Sequence, residues 1–221
     1  MLLVKPGFEI LTDVDPIAIL KRIEVAGRTC YKSDDKITED SGRKFVAMLV
    51  KRGHESVLEH ELVTVKFIVD RGVSHELVRH RLCAFSQEST RYCDYKGGVA
   101  FVIPPWCNIS AGDWGTNHAR TLAQVFQTPA EVEWHQAMYQ SEERYTHLRD
   151  LGWSPQQARS VLPNSLKTEV VTTANLRQWR HILRIRTTNA CHPQMTEVMR
   201  PLLLRFQELL PEIFGDISRE W

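Results

Sequence analysis

The chain has 221 residues and a formal charge of +1, which excludes a polycationic nucleic-acid coat or an acidic tail as its main business. Its 43% apolar content is enough for a sizeable core, and its 28 basic residues are 19 Arg and only 9 Lys, an excess of guanidinium forks suited to oxyanions. No window approaches 18 uninterrupted apolar residues, and the opening run Met1 to Gly7 is broken too early for a signal peptide, so a soluble, cytoplasmic chain is expected. Five cysteines without a C-x-x-C pair indicate reduced thiols rather than a disulfide framework or a structural zinc site.

In chain order, Phe8 to Leu11 reads as a short strand. Asp15-Pro16 then launches a helix by an N-cap and an N1 proline, with Ile17, Leu20, Ile23 and Ala26 facing inward. A second helix follows Thr38, with Glu39 and Asp40 in its first turn and Phe45, Met48, Leu49 and Arg52 at helical spacing until Gly53 stops it. Val63, Val65, Phe67 and Val69 alternate in the clearest strand. Ser74 is expected to cap a short helix running to Leu82, with Leu77, Val78 and Leu82 on its buried side. Ser86 to Tyr95 reads as a polar loop, Val99 to Ile103 as a strand, and Trp106 to about His118 as irregular. A charged helix is expected from Pro129 to Leu151, and another from Ser154-Pro155 to about Pro163. Lys167 to Thr173 reads as a strand and Asn175 to Thr187 as a helix, and Pro201 should start or kink the last helix. Separate helices and strands without a βαβ rhythm predict an α+β fold, one domain over 1–221, with a mixed or antiparallel sheet flanked by helices.

Arginines concentrate in two places. Arg79 and Arg81 with His80, and Arg91, flank the loop Ser86-Gln87-Glu88-Ser89-Thr90, which offers forks, hydroxyls and backbone N–H groups together, as phosphate recognition requires. Arg177, Arg180, His181 and Arg184 share one face of the 175–187 helix at about 100° per residue, opposite Leu176, Trp179, Ile182 and Leu183. Arg186 falls inside the apolar stripe, where its charge either finds a partner or snorkels out at the helix end.

Arg79-His80-Arg81, seven residues and then Ser89 form R-H-R-x7-S, and here the chain resembles the flavin-dependent thymidylate synthases. Gly53-His54-Glu55-Ser56 through Glu59-His60 is similar to that family's G-H-E-[ST]-x-x-E-H segment. Arg91-Tyr92, Ala158-Arg159-x-Val161-Leu162-Pro163, Thr173 to Arg177 and Leu183 to Arg186 extend the match. The resemblance implies conversion of dUMP to dTMP, with methylenetetrahydrofolate as one-carbon donor, NADPH as reductant and FAD as cofactor. It also implies a homotetramer whose active sites use residues from several chains.

Carried over residue by residue, the resemblance assigns FAD to Ser56, Arg79, His80, Arg81, Gln87, Asn175, Leu176, Arg177 and His181. It assigns dUMP to Glu76, Leu77, Val78, Arg79, Gln87, Glu88, Ser89, Thr90, Arg91, Arg159 and Arg186. Arg91 and Arg159 would neutralise the phosphate. Arg186 would lie against the uracil edge and stabilise charge when N3 ionises, the catalytic role. His54 would stand on the folate and nicotinamide side. No catalytic cysteine is implied, and Cys83 reads as a small apolar filler. Glu76 and Gln87 stand where some relatives carry Gln and Glu, which redistributes local charge.

Two other classes compete. A metal hydrolase could draw on His54, His60, His75, His80 and the neighbouring glutamates, but His75 and His80 are spaced i, i+5 and do not face one ion from a helix. An RNA-binding module could use the arginine faces, but the charge is neutral and no RNP, KH or zinc-finger pattern is present.

Overall fold

The computed structural model describes residues 1–114 and 126–221. In chain order its elements are β1 (Leu2–Val4), β2 (Gly7–Ile10), α1 (Pro16–Thr29), α2 (Ser41–Lys51), β3 (Leu62–Asp70), α3 (Arg71–Leu77), β4 (Cys83–Gln87), β5 (Ala100–Val102), β6 (Gly112–Asp113), α4 (Pro129–Asp150), α5 (Pro155–Ala158), β7 (Lys167–Asn175), α6 (Leu176–Arg186), α7 (Pro193–Leu209) and α8 (Pro211–Phe214). Short 3-10 turns cover Asp34–Lys36, Glu55–His60 and Arg159–Val161. Two sheets form, one of order β5-β1-β6 and one of order β2-β3-β7-β4. The mixture of helices and sheets is the predicted α+β class. Among the described residues no helix is long and apolar enough to cross a membrane.

The described residues group into two compact units. The first comprises 1–7, 67–79 and 86–170. Its sheet is mixed: β1 runs parallel to β5, with Leu3 opposite Phe101, and antiparallel to β6. Leu3, Phe101, Ile103 and Leu166 are buried together with Met138 and Tyr145 of α4. Thr128 and Glu131 close a capping box at the start of α4, and Glu131 also accepts from Asn108 N at 2.7 Å, tying the preceding loop to the helix.

The second unit comprises 8–66, 80–85 and 171–221. Asp15 accepts from Ile17 N and Ala18 N at 3.0 and 3.1 Å, with Pro16 at N1, as the sequence predicts. Trp179 is fully buried edge-on to Phe206, and its Nε1 donates to the Val63 carbonyl at 2.9 Å, which satisfies the indole's single donor inside the core. Helix α2 ends in a Schellman pair: Gly53 N donates to Val50 O, and His54 N to Leu49 O, with Gly53 at φ +73°.

Several expectations need correcting. Helix α3 is capped by Asp70, which accepts from Val73 N at 2.6 Å. Ser74 lies buried inside that helix, which stops at Leu77. Val78 and Leu82 are therefore not part of a buried side, and Leu82 is 76% exposed. Ile17 is 66% exposed, because α1 turns it outward and buries Ile19 instead. Glu39 and Asp40 precede α2 rather than filling its first turn, and Arg52 is its exposed C-cap. The supposed polar loop from Ser86 begins as the end of β4, whose alternating burial carries no run of large apolar residues to announce it. The last long helix starts at Pro193, capped by His192, and continues through Pro201. The far end of the irregular segment expected up to His118 lies outside the described residues.

No atom lies within 4 Å of a Cβ built on Gly53, so its substitution probes backbone strain alone. Gly53→Ala should cost about 1 kcal/mol and lower the melting temperature by about 2–4 °C, measured by circular dichroism.

Candidate active site

The first unit gathers the loop after β4. Gln87 Nε2 donates to Ser74 Oγ at 2.9 Å and to Thr168 Oγ1 at 3.2 Å. Glu88 N donates to Glu169 O at 2.9 Å, and its carboxylate accepts from Tyr95 Oη at 2.8 Å and Lys167 Nζ at 3.0 Å. Ser89 then makes a turn: its carbonyl accepts from Tyr92 N and Cys93 N, and its Oγ accepts from Arg91 N at 3.3 Å. Buried Thr90 accepts from Arg159 Nη1 at 3.0 Å, so a side chain 69 positions away is fixed to the loop. Arg91 is exposed, with its guanidinium 5.4 Å from the Tyr92 ring centroid. Before the loop, Leu77 is fully buried, Glu76 is half-buried, and Val78 and Arg79 are exposed on the turn ending α3. The loop backbone is thus pinned from behind by neutral and paired side chains while Arg91 and Arg159 remain on the surface, an arrangement able to receive a phosphate.

The second unit gathers the other predicted set. Asn175 caps α6 by accepting from Gln178 N at 2.8 Å, and Leu176 is fully buried behind it. Arg177 is half exposed and pairs with Glu59 at 2.5 Å. Exposed His54 and Ser56, with Arg177, line a cavity of about 400 Å³ whose apolar walls are Gly27, Leu49 and Val57 and which Tyr31 also borders. That volume suits one planar ring system, and a guanidinium, a hydroxyl and an imidazole at its edge suit a flavin bearing a pyrophosphate. His181 and Arg81 are exposed. His80 is buried, edge-on to His181 with ring centroids 6.3 Å apart, and Arg186 Nε donates to His80 Nε2 at 3.0 Å. Of the two fates open to Arg186, the structure selects the partnered one.

Arg180 departs from expectation. Helical spacing puts it on the polar face of α6, yet it is 0% exposed. Its Nε donates to Glu55 at 3.0 Å, its Nη1 and Nη2 donate to Asp216 at 2.6 and 2.7 Å, and Nη1 also donates to the Ile213 carbonyl. A buried guanidinium is tolerable only when its donors are matched in this way. The effect is to fix Glu55, which sits between the two cavity residues His54 and Ser56. Sequence reasoning missed Arg180, Asp216, Tyr95 and Lys167 as organisers. For Arg180 a signal existed, since about 40° of helix rotation separates it from Leu176; for Asp216 there was none.

Environment sets the protonation states. Burial, the Arg186 charge and the His181 ring hold His80 down to about 4, so it is neutral at neutral pH and able to accept. Burial would raise the Asp216 carboxyl, but hydrogen bonds and charge from Arg180 and Arg184 outweigh it and keep it below the usual range. Burial pushes the Cys83 thiol up to about 11, partly opposed by a hydrogen bond from Gln178, and so away from the reactive thiolate.

The model of a family described as thymidylate synthase complementing protein matches residues 17–212. A probable flavin-dependent thymidylate synthase of Mycobacterium phage D29 is 31% identical, over 96% of this chain and 87% of its own length. A flavin-dependent thymidylate synthase of Mycolicibacterium gilvum is also 31% identical, over 96% and 84%. The fold is similar to that of a UMP/dUMP methylase, PolB, from Streptomyces cacaoi, solved with 5-Br dUMP: TM-score 0.74, 24% identity, 97% of this chain and 96% of that one.

Two measurements test the site's energetics. Arg180→Ala should cost about 3–5 kcal/mol in urea unfolding, because it strands partners inside the second unit, whereas Arg177→Ala, breaking an exposed pair, should cost under about 1 kcal/mol. Because His80 takes up its proton less readily folded than unfolded, its contribution to stability is full above pH 6.5 and is lost as the pH falls towards 4. The thermal stability of His80→Gln should therefore depend less steeply on pH across that window.

Proposed function

The chain belongs to the thymidylate synthase complementing protein family, the flavin-dependent thymidylate synthases, and on that premise we propose that it converts dUMP to dTMP. The one-carbon unit comes from methylenetetrahydrofolate, leaving tetrahydrofolate. FAD, when bound, would supply the hydride chemistry, with NADPH as its reductant. Residues 1–221 act as one enzyme domain in the cytoplasm, in a homotetramer whose complete active sites form where subunits meet.

The observation that carries this reading is the pinned loop. Gln87, Glu88 and Thr90 commit their side chains inward or to Arg159. The forks of Arg91 and Arg159 then bind the nucleotide phosphate, with Glu76, Leu77, Val78, Arg79 and the 87–90 segment completing the dUMP site. Ser56, Arg79, His80, Arg81, Gln87, Asn175, Leu176, Arg177 and His181 would hold FAD, and His54 would stand on the folate and nicotinamide side.

Arg186 lies against the uracil edge. Its fixed charge stabilises the anion left when N3 loses its proton, and the electron density gained at C5 makes that carbon the nucleophile towards the one-carbon donor. No thiol adduct is needed, in keeping with burial-raised Cys83 and Cys107.

Purified protein should be yellow, with a flavin absorbance spectrum, and should form dTMP only when dUMP, methylenetetrahydrofolate and NADPH are all supplied. Colourless protein with stoichiometric zinc and no turnover would overturn the proposal. Arg186→Ala should keep FAD and lose most turnover, Arg177→Ala should bind FAD more weakly, and Cys83→Ser and Cys107→Ser should remain active. Full activity in Arg186→Ala would refute its catalytic role.

A further inference from the structure

The side chain beside Arg186 carries an inference of its own. A guanidinium has donors and no acceptor, so in the 3.0 Å contact between Arg186 Nε and His80 Nε2 the imidazole nitrogen accepts and the ring proton resides on Nδ1. His80 lies between two turns, with Val78, Arg79, Arg81 and Leu82 all exposed around it, so it is the one residue of the 78–82 connector that the fold buries. Its ring is further confined by the edge contact with His181. Arg186 is at the last position of α6, and its long side chain has many rotamers to choose among. Nε is the inner corner of a planar fork. A hydrogen bond at that corner fixes the plane, and with it the directions in which the outer N–H groups point.

We propose that His80 is the positioning residue for Arg186, holding the guanidinium plane in the orientation that meets the uracil edge. This rests on the reading that Arg186 contacts the nucleotide, and it gives His80 a task distinct from contact with the flavin. The low proton affinity of the buried ring keeps the acceptor form in place at working pH. A protonated ring would instead present a second donor to Arg186.

The experiment compares wild-type holoenzyme with His80→Phe, His80→Gln, Arg186→Ala and the double variant His80→Phe/Arg186→Ala. Turnover is read at saturating FAD and dUMP, and FAD affinity is read by flavin fluorescence. Phe keeps volume and removes the acceptor. With FAD saturating, it should lower kcat by about 10–100-fold, the scale on which misplacing a catalytic group acts. Gln offers an amide oxygen and should recover most of that loss. In the Arg186→Ala background, His80→Phe should cause no further loss, since His80 acts through Arg186.

Equal losses in both backgrounds would overturn the proposal. So would weakened FAD binding with normal kcat once FAD is saturating, which would make His80 a flavin contact only. If His80→Phe does not fold, His80→Gln and His80→Lys decide: Lys cannot accept, so equal kcat in the two overturns the proposal. Full turnover in Arg186→Ala alone would instead remove the reading of Arg186 on which the proposal stands.

Discussion

The second unit depends most on a cation with no access to water. Arg180 is enclosed by Glu55, Asp216 and the Ile213 carbonyl, partners drawn from a 3-10 turn far earlier in the chain and from its last residues. Burying a guanidinium costs several kcal/mol unless each donor is met, and removing any one partner returns part of that cost. The arrangement therefore works as a specification: helix α6, the 53–57 turn and the C-terminal segment must be placed together or not at all. Gln207 reinforces the same end, donating to the Phe214 and Ile217 carbonyls. The cavity that His54, Ser56 and Arg177 line inherits its shape from this cluster, although Arg180 itself does not line it.

The first unit solves a different problem by related means. The rigidity of the 87–91 loop comes largely from side chains behind it. They fix Glu88, held by Tyr95 and Lys167, and Gln87, held by Ser74 and Thr168. Burial works against the Lys167 charge, but Glu169 and Glu88 more than compensate and raise its proton affinity. The charges behind the loop are neutralised locally, which leaves Arg91 and Arg159 as its forks.

What could be read from the sequence was whatever depends on neighbours along the chain. The Asp15 cap, the alternation of Val63, Val65, Phe67 and Val69, the Pro129 start of α4 and the Asn175 cap of α6 follow from local chemistry, and all appear where that chemistry puts them. The motif residues were legible for a separate reason, their spacing. The burial of Arg180 was not legible, because its acidic partners lie 125 and 36 positions away and nothing local distinguishes them. Strand β4 was missed because its inward positions are Cys83, Phe85 and Gln87, only one of them a large apolar side chain. Leu82 misled in the opposite direction: periodicity put it on a buried face of a helix that had already ended at Leu77.

The connector between Leu77 and Cys83 bears on how such a motif tolerates change in length. It has a single sheltered slot, and an imidazole that can be neutral fills it. Deleting or inserting one residue ahead of His80 would carry Arg79 or Arg81 into that slot, setting two permanent cations side by side out of water, an error that no change of protonation can relieve. The two arginines can sit on either side of the histidine only because they are one step away from it. The order of the three residues is thus as binding as their identity, and length variation in this chain should be tolerated in loops such as 96–98 long before it is tolerated between α3 and β4.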